Sequence, residues 1–243
     1  MKKIANQILY NLKKEKSSFI SFGVIILITA LILNCAAVLL CQVDSAYDGK
    51  FEELSTATIN AIVPEIQSNS ELEKAIDEIE NVEKTESHTA IMTEATVKDF
   101  NGADFSMNTV FYNIDNKRTL NNFEVVSESE NDVDNPIYIP LYVSNFGGFA
   151  LDDEIVYVID GKSHSFTVAG VIEEMQYGNY GSGLLCAYLP EEEFAELADS
   201  YSDKAVVEYS MSLKSDASLD KVKDDVSKVI ENKGAMALSI IDS

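Results

Sequence analysis

The sequence predicts an α+β protein carried on a single N-terminal transmembrane helix, with a two-lobed domain on the far side of the bilayer. Three observations lead there: a 25-residue stretch without charge, a charge pattern in three blocks, and two strand–helix–strand segments placed far apart in the chain.

The uncharged stretch is Ser17–Cys41 (SSFISFGVIILITALILNCAAVLLC). About 20 apolar residues at 1.5 Å rise cross a hydrocarbon core of roughly 30 Å, so residues 17–42 are expected to span a membrane. Asn34 is its one strongly polar side chain, suited to a bond with a neighbouring helix or tolerated alone. The apolar core is too long for a cleaved signal, and Leu39-Leu40-Cys41-Gln42 lacks small residues at a cleavage site. Lys13, Lys14 and Lys16 precede the span and set orientation: residues 1–16 in the cytoplasm, residues 43–243 outside. Ile4, Ile8, Leu9 and Leu12 recur at near-helical spacing, which fits a short amphipathic helix on the inner leaflet or a plain basic flank.

The chain has 243 residues and a net charge of −23. Residues 1–16 sum to +4 and residues 17–41 to zero, so the remainder carries −27. Such acidity favours solubility and repels phosphate backbones, which excludes a nucleic-acid partner. Cys35 and Cys41 lie in the apolar stretch and Cys186 stands alone, so no disulfide framework or metal spacing is present.

The first strand–helix–strand segment comprises Thr56–Pro64, Ser68–Thr85 and His88–Lys98. The second comprises Ala205–Leu213, Ser215–Lys233 and Ala235–Ile241. Leu72, Ile76, Ile79 and Val82 form one apolar stripe; Leu219, Val222, Val226, Val229 and Ile230 form the other. Ser70-x-x-Glu73 reads as a capping box, Asp216 or Ser218 as the second cap, and Gly234 as a helix-ending glycine. Both helices are expected on one side of one sheet, in a lobe made of 55–115 and 204–243. Between them, 116–203 reads as a separate β-rich lobe. Its strands are Pro136–Ser144, Asp153–Val158, Ser165–Ile172 and Leu185–Leu189, followed by a short acidic helix at Pro190–Ala198. Asn101-Gly102 and Asp160-Gly161 mark hairpins.

The stretch Tyr142–Glu173, the strand Phe166–Val171 (FTVAGV), the step Ala187–Pro190 (AYLP) and the acidic helix after it follow one another in a recognisable order. In that order the chain resembles FtsX-like, MacB-type ABC transporter permeases, from the first transmembrane helix through the MacB-like extracytoplasmic core domain. Asp152 stands where that family has glycine, and Asp tolerates the left-handed turn. The resemblance implies a permease subunit, or the N-terminal part of one, since the family's further transmembrane helices would follow Ser243. It also implies mechanotransmission: a separate cytoplasmic ABC ATPase binds ATP, and a second permease copy or the missing transmembrane half completes the unit. Motion then reaches an outer domain that handles peptides, lipoproteins or a cell-envelope partner. The alternative is a single-pass surface binding module without an ATPase.

No catalytic constellation is expected, nor a cofactor or metal in this chain. His88 and His164 read as surface or packing residues, Cys186 as an inert buried thiol, and the acidic runs Glu128–Asp134 and Glu191–Glu193 as solvated faces. No phosphate-binding loop is present. The loop Gln176–Gly183, with Tyr177, Gly178, Tyr180 and Gly181, is the first candidate for partner contact; Asn145–Phe149 is the second.

Overall fold

The computed structural model describes residues 16–177 and 183–242. It divides into two units, residues 1–50 and 51–243. Lys13 and Lys14 lie outside the described residues, as do Gly178, Tyr180 and Gly181, and the side chain of Lys16 is not described.

Helix α1 is Lys16–Glu53. It passes the expected end of the span and continues to Glu53. Every residue from 20 to 40 is exposed. The helix has the length and apolar character to cross a membrane. Thr29 Oγ1 donates to the Ile25 carbonyl at 2.9 Å, which keeps its hydroxyl satisfied without water.

The second unit contains β1 (Ile59–Pro64), α2 (Ser70–Asp77), β2 (Val82–Phe100), β3 (Ala103–Asn113), β4 (Glu124–Glu128) and β5 (Pro136–Pro140). Then follow α3 (Leu141–Gly147), β6 (Glu154–Ile159), β7 (Lys162–Glu173), β8 (Leu184–Leu189), α4 (Glu191–Ser200), β9 (Ala205–Leu213), α5 (Leu219–Asn232) and β10 (Ser239–Asp242). β9 has the bounds its apolar run predicts.

Strands β10, β1, β9 and β2 lie side by side. Their period-2 alternation splits the sheet into two faces. Ile59, Ala61 and Val63 of β1 join Val207, Tyr209 and Met211 of β9 on one face, under Leu72 and Ile76 of α2 and Val222, Val226 and Ile230 of α5. Leu219 packs against the same cluster as Leu72, so both helices cover one side. The first helix is shorter than its stripe predicts, ending at Asp77, so that Ile79 lies beyond it and Val82 opens β2, both still on the same cluster. The cap of α2 differs from the expected box. Asn69 is extended and its Oδ1 accepts from Glu71 N and Leu72 N at 3.0 Å each, so Ser70 already lies inside the helix. Glu73 instead accepts from Ser87 Oγ at 2.9 Å.

The expectation of a separate inserted lobe is corrected. The pairings β2–β3, β3–β8, β8–β5, β5–β7, β7–β6 and β6–β2 close into a ring of six strands. This small barrel takes two of its six strands, β2 and β3, from before residue 116 and four from 116–203. Its interior holds Ala95, Val97, Phe111, Ile137, Ile155, Tyr157 and Val168. Strand β2 belongs to both parts: Val82–Ile91 pairs with β9, and Thr96–Val97 pairs with β6. At about 3.3 Å per residue, its 19 residues span roughly 60 Å. Closure pairs β6 on both sides and leaves the short strand β4, on β7, as the edge.

A second correction falls at Pro136–Ser144. The strand stops at Pro140 and the chain turns into α3, which ends on Gly148 at φ 81°, where Gly148 N donates to Ser144 O. The hairpin turns appear as the sequence predicts: Asn101 and Gly102 at φ 52° and 82°, Asp160 and Gly161 at 49° and 78°. Asp152 takes the left-handed conformation at φ 68°, and Gly234 follows α5 at 75°.

Candidate functional site

At the end of β2 remote from Val82, the β2–β3 hairpin tip meets α3. Asn101 N donates to the Gly147 carbonyl at 2.8 Å and fixes the two together. Gly147 has no room for a side chain: a Cβ there would lie 2.9 Å from the rings of Phe100 and Phe149. Phe100 stacks on Phe105 at 4.9 Å between centroids, and Tyr142 lies 5.4 Å from Phe146. These rings, with Leu141 and Met175, wall an open groove of about 850 Å³. Its size and lining are those of a contact site for an apolar group. Phe146 stands at its mouth, 66% exposed. Glu173 and Glu174 also line it, Glu174 with its carboxyl turned to buried partners. The second contact segment read from the sequence, Asn145–Phe149, therefore contributes to this groove, through Asn145 and Phe146.

The first candidate fares differently. Tyr177 is 1% exposed, and its hydroxyl donates to the Glu208 carboxylate, so it offers no contact area. Gln176 Nε2 donates to the same oxygen. Burial wins because Tyr177 fills the face of the sheet that the helices leave bare, against Tyr112, Cys186 and Tyr188.

That face holds a buried polar cluster, bound by a strap at residues 115–123. Arg118, the sole arginine, sets its guanidinium carbon 4.6 Å from the Tyr112 ring centroid and 5.3 Å from that of Tyr188. Its Nε and Nη1 are sealed from solvent without a hydrogen-bond partner, although the residue as a whole is half-buried. Thr119 N and Leu120 N donate to Glu86, at 2.9 and 2.6 Å. Asn121 Oδ1 accepts from Ala57 N, and its Nδ2 donates to Asn60 Oδ1 and Ser210 Oγ, each at 2.8 Å. Glu174 accepts from Tyr177 N at 3.0 Å and from Cys186 Sγ at 3.3 Å, and it also lines the groove. Cys186 is buried, as expected of an inert thiol, and burial beside Glu174 pushes that thiol well up.

Burial pushes the carboxyls of Glu174 and Glu208 above the ordinary range; for Glu208, Arg118 and its hydroxyl and amide donors pull only part of the way back. Burial would raise Glu86 too, but the Leu120 and Thr119 amides outweigh it and hold the group low. Burial lowers His88, and Arg118 adds to this against the pull of Glu86. His164 packs on Tyr201, with Nε2 2.7 Å from the hydroxyl. Among the described residues no group of His, Cys, Asp or Glu is placed to hold a metal ion.

A testable consequence concerns pH. A carboxyl whose folded pKa is raised stabilises fully below its ordinary value of 4.5, and that contribution is lost as pH rises through the raised value. The stability of the wild type relative to Glu208→Gln is therefore expected to fall as pH rises above 4.5. Urea midpoints of the full chain in detergent, followed by tyrosine circular dichroism, measure it; a constant difference would contradict the burial argument.

No family model matches the chain, and no curated protein matches it. Among solved structures it is similar to the extracellular domain of the noncanonical ABC-type transporter YknZ from Gram-positive bacteria. The identity is 14% and the TM-score 0.37, over 74% of this chain and 100% of that one. It is also similar to a domain assigned to a permease protein from Porphyromonas gingivalis, at 15% identity and a TM-score of 0.33, over 77% and 91% of the two chains. These values are too low to carry function from either domain to this chain.

Proposed function

We propose that this chain is the membrane permease subunit of an ABC transporter, or the N-terminal part of one. In this reading a separate ATPase in the cytoplasm supplies the energy, a second permease copy or transmembrane half completes the assembly, and this chain binds no cofactor. The observation that carries the reading is the uncovered apolar helix followed by an acidic folded unit, with the motifs of the resemblance in order along it. Helix α1 spans the bilayer, and Lys13, Lys14 and Lys16 keep its start in the cytoplasm.

The role is mechanical rather than catalytic. Strand β2 runs through both the open sheet and the barrel, so a displacement at its Val82 end carries to the hairpin tip at Asn101 without crossing a flexible joint. The groove beside that tip is the contact site for what the outer domain handles. Paired strands resist bending because ladder hydrogen bonds on both sides must break together.

The test is affinity purification of the tagged full chain from gently solubilised native membranes. An ABC ATPase recovered in near-stoichiometric amount is the expected result. Recovery from the membrane with no nucleotide-binding protein would overturn the permease reading and favour a lone surface binding module.

A further inference from the structure

The groove at the hairpin tip has a chemistry that selects its occupant. Its walls are Phe100, Phe105, Leu141, Tyr142, Phe146 and Met175. The segments that supply them, 99–105, 140–149 and 173–177, carry Asp99, Asp104, Glu173 and Glu174 and no basic residue. Asp104 is engaged by Lys98 of β2, directly across the hairpin, so the net local charge comes from the other acids. The surrounding field has the same sign: residues 1–50 sum to +3, so the folded unit 51–243 carries −26. An apolar slot in a strongly anionic surface attracts apolar groups that bring positive charge, and it repels anionic ones at long range.

The outer unit of a second copy brings the same −26 and is not drawn into this groove, whatever pairing the membrane helices make. Anionic lipid and nucleic acid are repelled for the same reason. At about 850 Å³ the groove takes a few side chains rather than a folded face. The exposed Phe146 ring offers the aromatic anchor around which such contacts concentrate. We propose that the groove binds a basic amphipathic peptide segment, with apolar side chains against Phe100, Phe146 and Met175 and lysine or arginine facing Glu173. The proposal gives a ligand class to the contact role assigned to this groove above, and rests on that reading only for the groove's place outside the cytoplasm.

The experiment uses the full chain in nanodiscs of zwitterionic phosphatidylcholine, with empty discs subtracted. The probes are three fluorescein-labelled decapeptides, of Lys with Leu and Phe, of Glu with Leu and Phe, and of Lys with Ser. The first is expected to bind at least tenfold more tightly than the other two. Phe146→Ser, at an exposed position that leaves the core intact, should weaken it tenfold or more. Glu173→Gln should weaken it about two- to fivefold and flatten its salt dependence. Equal binding of the Glu peptide, equal binding of the Lys–Ser peptide, or unchanged binding to Phe146→Ser would each overturn the proposal. Peptide binding by a chain that recovers no ATPase would leave this proposal standing while the permease reading fell, so the two are judged separately.

Discussion

Arg118→Ala is expected to destabilise the folded unit by about 3–5 kcal/mol, because it leaves the buried Glu208 carboxyl without the nearby positive charge that offsets its desolvation, although no hydrogen bond joins the two groups. Glu208 is fully buried on β9, and Arg118 is the opposing charge that offsets its desolvation. Truncation also strips the guanidinium from the faces of Tyr112 and Tyr188. The pair need not be a net stabiliser for this to hold, because burying both charges is itself costly and removing only one leaves the other uncompensated. Two effects therefore compete, and a second variant tells them apart. Arg118→Met with Glu208→Gln keeps the volume and removes both charges, so it should recover most of the loss. Urea unfolding of the full chain in detergent, read by tyrosine circular dichroism, gives both numbers. An alanine variant within about 1 kcal/mol of wild type would mean that the guanidinium is solvated rather than committed to the cluster.

Asn121→Ala should cost a similar amount, about 3–5 kcal/mol, for different reasons. The side chain is 3% exposed and makes three bonds, to Ala57 N, Asn60 Oδ1 and Ser210 Oγ. Losing a partner for a buried polar group costs about 1–3 kcal/mol each, and the losses overlap. Asn121 also sits at φ 51°, where alanine pays about 1 kcal/mol that asparagine partly escapes. Asn121→Gly relieves the backbone but not the bonds, so it should recover about 1 kcal/mol and no more. Faster hydrogen exchange at the Ala57 amide would report the lost bond directly. Equal stability of the alanine and glycine variants would remove the backbone from the account. The clasp matters because the Asn121 and Asn122 amides also donate to Ser55 and Leu54 carbonyls, which hold the first residues of the fold in place.

The strap and its cluster left faint traces in the sequence. Arg118 lies in Asn116–Asn122 (NKRTLNN), a polar stretch without period that reads as a solvated loop. The usable trace is on the other side: Glu208 is the one charge in the nine-residue strand Ala205–Leu213, in a position flanked by apolar residues. A carboxylate there implies a buried partner, yet nothing local says which cation supplies it. Tyr177 misleads for the same reason. Its neighbourhood is rich in glycine and polar residues, and its burial depends on a sheet face some thirty residues away in sequence.

What the amino-acid sequence determined is what neighbouring residues settle among themselves. The uncharged run fixes α1, the apolar stripes fix α2 and α5 on one side of a sheet, and backbone sterics fix the turns at Asn101-Gly102, Asp152 and Asp160-Gly161. Only the tertiary structure decided that β2 serves two layers, that six strands close into a barrel, that the chain after Pro140 coils into α3, and that aromatic rings from three segments wall a groove. Those outcomes depend on which distant strands pair and how far the sheet twists before its edges meet, and such energies are shared between residues too far apart for any local pattern to record.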